Sequence, residues 1–186
     1  MKKIVILWLS VLLLSGCGIF PLPSEILNKA FTPENNTRYY EKKAYHLVKQ
    51  LIRQMDEENS NLAINRIAVM DLVDHTGRVP ELGRYISLKI ANEISKNKYF
   101  KLTPRGDLLG TMNRLRTGSN NFEVSTLNEL GDALKIEAII VGKIIDLGTN
   151  LDVNVNSVDI KTGEIIASAS TSIARSDFAT EMLRKY

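Results

Sequence analysis

The only cysteine of the sequence, Cys17, carries the most distinctive chemistry in the chain. Leu14, Ser15 and Gly16 precede it, and small residues directly before such a cysteine are typical of a bacterial lipoprotein signal. Ser15 and Gly16 would let the signal peptidase bind this strand, and the Cys17 thiol would take up a diacylglycerol. Because the sequence has no second cysteine to form a disulfide, we interpret Cys17 as a lipid attachment point.

The residues before Cys17 have the features of an export signal and not of a membrane span. Lys2 and Lys3 give a positive start, and the apolar run Ile4–Leu14 is 11 residues long. A transmembrane helix needs about 20 apolar residues, whereas the core of a signal peptide needs about 7 to 15. Two or three acyl chains would make the anchor effectively permanent. Gly18 stands in place of the Asp that retains many such proteins at the inner membrane, so we expect an outer-membrane anchor with a periplasmic domain.

A second group of chemically capable side chains follows a predicted strand. Asp71, Asp74 and His75 are close enough in sequence to raise a metal-binding or acid-base hypothesis. The same residue types are also common in polar loops between a strand and a helix, and the sequence has no second cluster of ligands. We therefore favour a loop, and we predict neither a metal site nor a catalytic residue here.

Two short motifs raise further hypotheses, and the surrounding sequence argues against both. The tripeptide Arg105–Asp107 is an integrin ligand when a loop displays it, but apolar residues at helical spacing follow it, so we predict that Asp107 opens a helix. The pair Gly142–Lys143 lacks the first glycine of a phosphate-binding loop, and Ile144 follows the lysine. The sequence therefore predicts no nucleotide site.

Composition narrows the classes of activity and partner. The sequence has 24 basic and 21 acidic residues, and loss of Lys2 and Lys3 with the signal lowers the net charge from +3 to +1. Both signs are mixed along the chain, whereas a nucleic-acid surface needs clustered Lys and Arg. No nucleophile motif or histidine cluster occurs. We therefore expect a non-enzyme that uses no cofactor, no small-molecule substrate and no nucleic acid.

The chain divides into three predicted regions. Residues 1–17 form the lipoprotein signal ending at the lipidated Cys17, residues 18–36 form a flexible tether, and residues 37–186 form one domain. Three prolines interrupt the tether, and a flexible chain of its 19 residues spans roughly 25 Å. The domain should therefore remain close to its membrane.

Hydrophobic periodicity predicts the elements of the domain. The predicted helices are Thr37–Met55, Pro80–Lys96, a helix from Arg105, Ser125–Leu134 and a short helix from Ser176. The predicted strands are Ile64–Leu72, Tyr99–Thr103, Ala138–Leu147 and a final antiparallel pair joined by a turn at Lys161–Glu164. This order predicts an α/β (α+β) fold in which helices pack a mixed, mostly antiparallel sheet of about five strands in a single domain.

The first strand of the final pair has one apolar and one polar face. Leu151, Val153 and Val155 alternate with Asp152, Asn154 and Asn156, and the alternation changes near Ser157, where we predict a bulge. Short polar side chains without crowded charge could bind another protein. We therefore take Asp152, Asn154 and Asn156, or an exposed edge of the sheet, as the candidate partner-binding surface.

Five segments carry a family resemblance: Ile67–Val69 before a polar loop, Leu82–Ser87 opening a helix, Phe100 in a short strand, Ala138–Gly142 and Val158–Ile165. In this order, and with the lipid signal, they resemble the FlgO family of flagellar outer-membrane lipoproteins. More distantly, they resemble the periplasmic module shared by CsgG, LpoB and the amino-terminal part of TolB. The resemblance implies a helix-covered mixed sheet, a role in assembly and no catalytic residues.

Three functions remain open at this point. The first is a lipoprotein that binds envelope or flagellar proteins, and further copies of itself in a flagellar collar, and that helps an envelope machine to assemble. The second, implied by the resemblance to LpoB, is an activator of a peptidoglycan synthase, and the third is an accessory subunit of a secretion system. A tether of roughly 25 Å is short for reaching an enzyme at the inner membrane, which favours the first.

Overall fold

The computed structural model describes residues 36–58, 64–97, 99–118 and 123–186. The helices in these ranges are α1 (Thr37–Glu58), α2 (Glu81–Lys96), α3 (Arg105–Leu115), α4 (Val124–Leu134) and α5 (Asp177–Arg184). The strands are β1 (Arg66–Val69), β2 (Lys101–Leu102), β3 (Ala138–Asp146), β4 (Asn150–Asp159) and β5 (Ile165–Ala174). The element order is the one that the periodicity predicts.

The strands form one mixed sheet in the order β2-β1-β3-β4-β5. β1 pairs in parallel with both β2 and β3, whereas β3 with β4 and β4 with β5 form long antiparallel ladders. Helices pack against both faces, and the predicted α+β fold with about five strands is therefore confirmed.

Two predicted strands are shorter than their apolar runs. The segment Ile64–Leu72 contributes only Arg66–Val69 to the sheet, because the chain leaves the ladder after Met70 and touches β3 again only through a single bridge between Val73 and Lys143. The segment Tyr99–Thr103 contributes only Lys101–Leu102. It lies at the sheet edge, and Pro104 follows at the start of α3, so the ladder stops there.

The larger core lies between the sheet and α1, α2 and α5. α1 buries an apolar stripe at Tyr40, Ala44, Leu47, Val48, Leu51 and Met55, and Ile52 beside it is half-buried. It meets the sheet face of Val153, Val155 and Ile173, and α2 adds Ile86 and Ile90. Burying a single side chain of this size contributes about 1.5–3 kcal/mol, so this face provides most of the hydrophobic stabilisation.

The second core is smaller and covers only part of the opposite face. α3 and α4 pack Leu108, Met112, Leu127 and Leu130 on Ala68, Met70 and Ile139 of the sheet and its margin. No described helix covers the rest of this face, where the side chains of β4 and β5 are half-buried or exposed. The sheet is thus buried on both sides near β1 and on one side near β4 and β5.

The hairpin of β4 and β5 contains the predicted bulge, but the extra residue lies in the other strand. The register shifts at Ser157 and Val158, where Ser157 pairs with Ala167 and Val158 pairs with Ile165. Ile166 is therefore the unpaired residue, and β4 keeps its alternation throughout. The prediction that the side chains of β4 change faces near Ser157 is wrong. The extra residue of the bulge belongs to β5, so the alternation of β4 is not interrupted.

Candidate partner-binding face

The part of the sheet beyond the second core forms a mainly polar surface, which we name the open face, and Val141 at its margin still packs against that core. It consists of Val141, Lys143 and Ile145 from β3, Asp152, Asn154 and Asn156 from β4, and Ser168, Ser170 and Ser172 from β5. The antiparallel register places these residues in rows, one of which is Lys143, Asn154 and Ser170. The structure therefore brings together the three residues that the sequence singled out, and it adds Lys143 and three serines.

Hydrogen bonds between neighbouring side chains order the open face. Asn154 Nδ2 donates to Asp152 Oδ2 at 2.8 Å, and Ser168 Oγ donates to Asn156 Oδ1 at 2.9 Å. The second bond crosses from β5 to β4, and a similar one joins Asn150 Nδ2 to Ser172 Oγ at 2.6 Å. These contacts order short polar side chains on the surface of the sheet, and such an ordered surface could bind another protein.

The edges of the sheet are less available than the open face. α1 covers the outer edge of β5, where Tyr39 Oη accepts from the backbone N–H of Ala174 at 2.8 Å and Gln50 Oε1 accepts from that of Ser170 at 3.4 Å. At the opposite edge, β2 has two residues. A covered edge and a very short one both discourage the addition of a strand from another chain. Of the two predicted surfaces, the open face is therefore the better candidate.

The loop after β1 uses its acidic residues for structure. Asp71 is buried and accepts from Arg105 at both carboxylate oxygens, with 3.0 Å between Asp71 Oδ1 and Arg105 Nε. This hydrogen bond raises the pKa of Arg105 above its ordinary value, and the paired charge of Asp71 adds to the effect. The pair joins the end of β1 to the start of α3, so the arginine of the Arg-Gly-Asp sequence is engaged within the fold.

Asp74 organises the remainder of this loop. Its Oδ1 accepts from the N–H and hydroxyl of Thr76 at 2.7 and 2.6 Å, and its Oδ2 accepts from the hydroxyl of Tyr186 at 2.7 Å. Burial alone would raise the pKa of Asp74, but these bonds and the N–H of Arg78 outweigh it and hold the pKa well below its ordinary value. His75 is exposed beside them. These contacts support the loop interpretation.

Arg105–Asp107 forms the first turn of α3, as predicted. Asp107 lies near the positive end of the helix dipole. Within the described ranges, no three His, Cys, Asp or Glu side chains gather closely enough to hold a metal ion. None of the helices in that part of the chain has both the length and the apolar content to cross a membrane. The predicted lipidation residue Cys17 and its signal residues Leu14, Ser15 and Gly16 lie outside the described residues.

The fold and the surface together define a class of protein. It is a domain in which helices pack on a mixed sheet and leave the open face of that sheet uncovered. The family model of the FlgO protein matches residues 45–178. The chain belongs to the FlgO family, as its sequence resemblance predicted. Membership of this family supports a lipoprotein-type accessory domain of the cell envelope. No curated protein matches the sequence.

Solved structures share the fold at low sequence identity. The LpoB C-terminal domain from Salmonella enterica superposes with a TM-score of 0.52 at 12% identity, covering 73% of this chain and 98% of that domain. The corresponding domain from Escherichia coli gives 0.52 at 11% identity, covering 69% and 98%. The NMR structure of E. coli LpoB gives 0.55 at 10% identity, covering 72% and 68%. These matches confirm the predicted distant likeness to LpoB at the level of the fold.

Proposed function

We propose that this protein is an outer-membrane lipoprotein whose non-catalytic periplasmic domain assists the assembly or stability of an envelope machine, most specifically the flagellum. The observation that carries the proposal is the FlgO family match over residues 45–178. The lipoprotein signal at Leu14–Cys17 supports the anchor, and the position of Gly18 supports the outer membrane.

The open face supports a binding role for the domain. Among its polar side chains, Asn154 hydrogen-bonds Asp152 and Ser168 hydrogen-bonds Asn156, and none of these four belongs to either hydrophobic core. Asp71 and Asp74 are the acidic residues for which the sequence raised an acid-base hypothesis. The Asp71 carboxylate is occupied by an ion pair, and the Asp74 carboxylate is occupied by hydrogen bonds of the loop. We therefore assign the contact with a partner to the open face and propose no catalytic step.

The second candidate is an activator of a peptidoglycan synthase, which the sequence resemblance to LpoB implies and the shared fold favours. The predicted tether of residues 18–36 argues against it. At roughly 25 Å, this segment is short for carrying the domain from the outer membrane to an enzyme at the inner membrane.

A deletion strain of the native bacterium separates the two candidates. We expect lost or unstable flagella, restored by the wild-type gene, with unchanged sensitivity to antibiotics that act on the cell wall. Altered antibiotic sensitivity with normal flagella would instead support the synthase activator and contradict the flagellar assignment.

The anchor has its own test, which is mass spectrometry of the native protein. We expect an acylated Cys17 at the amino terminus. A native protein that begins upstream of this residue, or well beyond it, or that carries an unmodified thiol, would remove the anchor from the proposal.

A further inference from the structure

We propose that the open face docks onto the open face of a second copy of this chain, with Lys143 of each copy meeting Asp152 of the other. This inference rests on the proposed function in two respects: it takes the open face as the partner-binding surface, and it takes the lipid anchor as what concentrates the copies on one membrane. It adds the identity of one partner, which is the protein itself.

The charges of the open face complement themselves. Lys143 and Asp152 are its charged residues, one of each sign. Among the described residues, the ammonium of Lys143 has no hydrogen bond or ion pair, and the Asp152 carboxylate accepts only from Asn154 Nδ2 at 2.8 Å. A partner of one predominant charge would attract one of these residues and repel the other. A second copy offers an opposite charge to each.

The positions of the two residues suit a two-fold arrangement. Lys143 pairs in register with Asn154, and Asp152 lies two residues along β4, opposite Ile145. Diagonal neighbours of this kind are about 7–8 Å apart. A two-fold axis between facing sheets, passing over the midpoint of the pair, places each lysine over the aspartate of the other copy. Such an interface is isologous, so one matched pair of charges in the chain creates two in the dimer.

The remaining side chains of the open face fit the same partner. Asn154, Asn156 and the serines both donate and accept hydrogen bonds, so a row of them can pair with an identical row. The sheet edges offer a second copy little alternative, because α1 covers β5 and β2 is two residues long. Face-to-face docking is the geometry that remains for the sheet.

The small area of the open face limits the strength of the contact between two copies. Three strands about 4.8 Å apart and about 20 Å long give roughly 300 Å² per copy, below the roughly 800 Å² of a standard interface. The pair is therefore weak in dilute solution and is populated where copies are concentrated on one membrane. For this reason the test belongs in the native envelope.

The experiment uses the full chain in its own bacterium, with Ser170 replaced by photoreactive p-benzoylphenylalanine. Illumination should give a cross-linked band at twice the monomer mass. The same amino acid at Asn92, which is exposed on α2, is the matched control and should give no such band. In the Ser170 background, Lys143→Glu or Asp152→Lys should each weaken the band at least about fivefold, because each reversal makes both pairs repulsive. The double reversal should restore it to within about twofold.

Each outcome decides between alternatives. A band that is absent, that is equally strong from Asn92, or that the double reversal does not restore would overturn self-docking. Cross-linking of Ser170 only to a protein of another mass would also overturn it and would leave the proposed function standing. Restoration of the band together with a deletion strain that has normal flagella would retain self-docking and reject the flagellar role. Thermal unfolding of the purified single variants, expected to match the wild type, shows that their folds are intact.

Discussion

The side-chain amide of Gln54 on α1 forms two hydrogen bonds with the backbone of Ser168 on β5, one in each direction. Gln54 Nε2 donates to the Ser168 carbonyl at 2.7 Å, and the Ser168 N–H donates to Gln54 Oε1 at 2.8 Å. The amide thereby occupies the place that a neighbouring strand would take. With Gln50 and Tyr39 it closes an edge that could otherwise pair with another chain.

Replacing Gln54 should open this edge. We expect Gln54→Leu to lower the free energy of unfolding by about 1 kcal/mol, because water replaces only part of the lost bonding. It should also increase aggregation on mild heating, measured by light scattering. Lys42→Leu adds the same apolar surface at an exposed position of α1 and is the control. Equal aggregation of both variants would show that surface apolarity, and not the open edge, is responsible.

Tyr186 contacts the loop after β1 through its hydroxyl and its ring. Its hydroxyl donates to Asp74 at 2.7 Å, and the Arg78 guanidinium lies 4.0 Å from the centre of its ring. Tyr186→Phe removes the hydrogen bond and keeps the ring. We expect a loss of about 1 kcal/mol in urea unfolding, which is below the range of about 1.5–3 kcal/mol for a bond to a charged group because Tyr186 is half exposed. Tyr99→Phe, at a more exposed ring, should change nothing.

The same carboxylate should make stability depend on acid pH. Because the pKa of Asp74 is held low in the folded state and is about 3.9 in an unfolded chain, the unfolded chain takes up the proton first as the pH falls. The stabilisation is complete above about pH 5 and is lost progressively as the pH falls below about 4.

Asp74→Asn should therefore be less stable than the wild type at pH 7, by about 2 kcal/mol, and should lose less on acidification. Urea unfolding at steps between about pH 7 and pH 2 measures both effects. Part of the slope should remain, because hydrogen bonds from Gly148 and Arg175 also lower the pKa of Asp146. Identical slopes for variant and wild type would show that Asp74 does not carry the dependence.

Two glycines in helices should respond oppositely to alanine. A Cβ at Gly83 of α2 would overlap the carbonyl oxygen of Leu72, so Gly83→Ala should cost about 1–3 kcal/mol as the helix shifts. A Cβ at Gly110 of α3 would meet nothing within 4 Å. Gly110→Ala should therefore raise stability by about 0.4–1 kcal/mol. A Gly83→Ala variant that is as stable as the wild type would contradict the close packing of α2 on the loop after β1.

The sequence predicted those features that depend on residues close to one another along the chain, such as helix periods and helix starts. The stripe of α1 follows from its helical period, and α5 begins where Ser176 Oγ accepts from the N–H of Ala179 at 3.2 Å. Pro80 precedes α2 at the position where a missing N–H costs nothing. The bulge was located near Ser157, but its extra residue, Ile166, lies in the facing strand, because register is a property of two strands and not of one.

Features that depend on tertiary contacts could not be predicted in the same way. The sequence offered Lys143 only as part of a phosphate-binding loop, whereas the register of β3 with β4 places it beside Asn154 on the open face. If the pairing of β3 with β4 had been known, the alternation of side chains along β3 would have indicated that Lys143 lies on the open face. The role of Gln54 depends on Ser168, which is 114 residues away, and no local pattern indicates it.

If the open face of this FlgO-family protein joins it to its envelope partners, changing the polar residues of that face should disrupt the assembly. The most direct measurement is motility, together with recovery of the cross-linked or purified complex, in a strain whose protein carries Asn154→Lys and Asn156→Lys. We expect both to be lost while thermal unfolding remains near that of the wild type, and we expect a control with Asn92→Lys to behave as wild type. Normal motility and normal recovery of the complex with the two lysines in place would show that the open face is not the partner-binding surface.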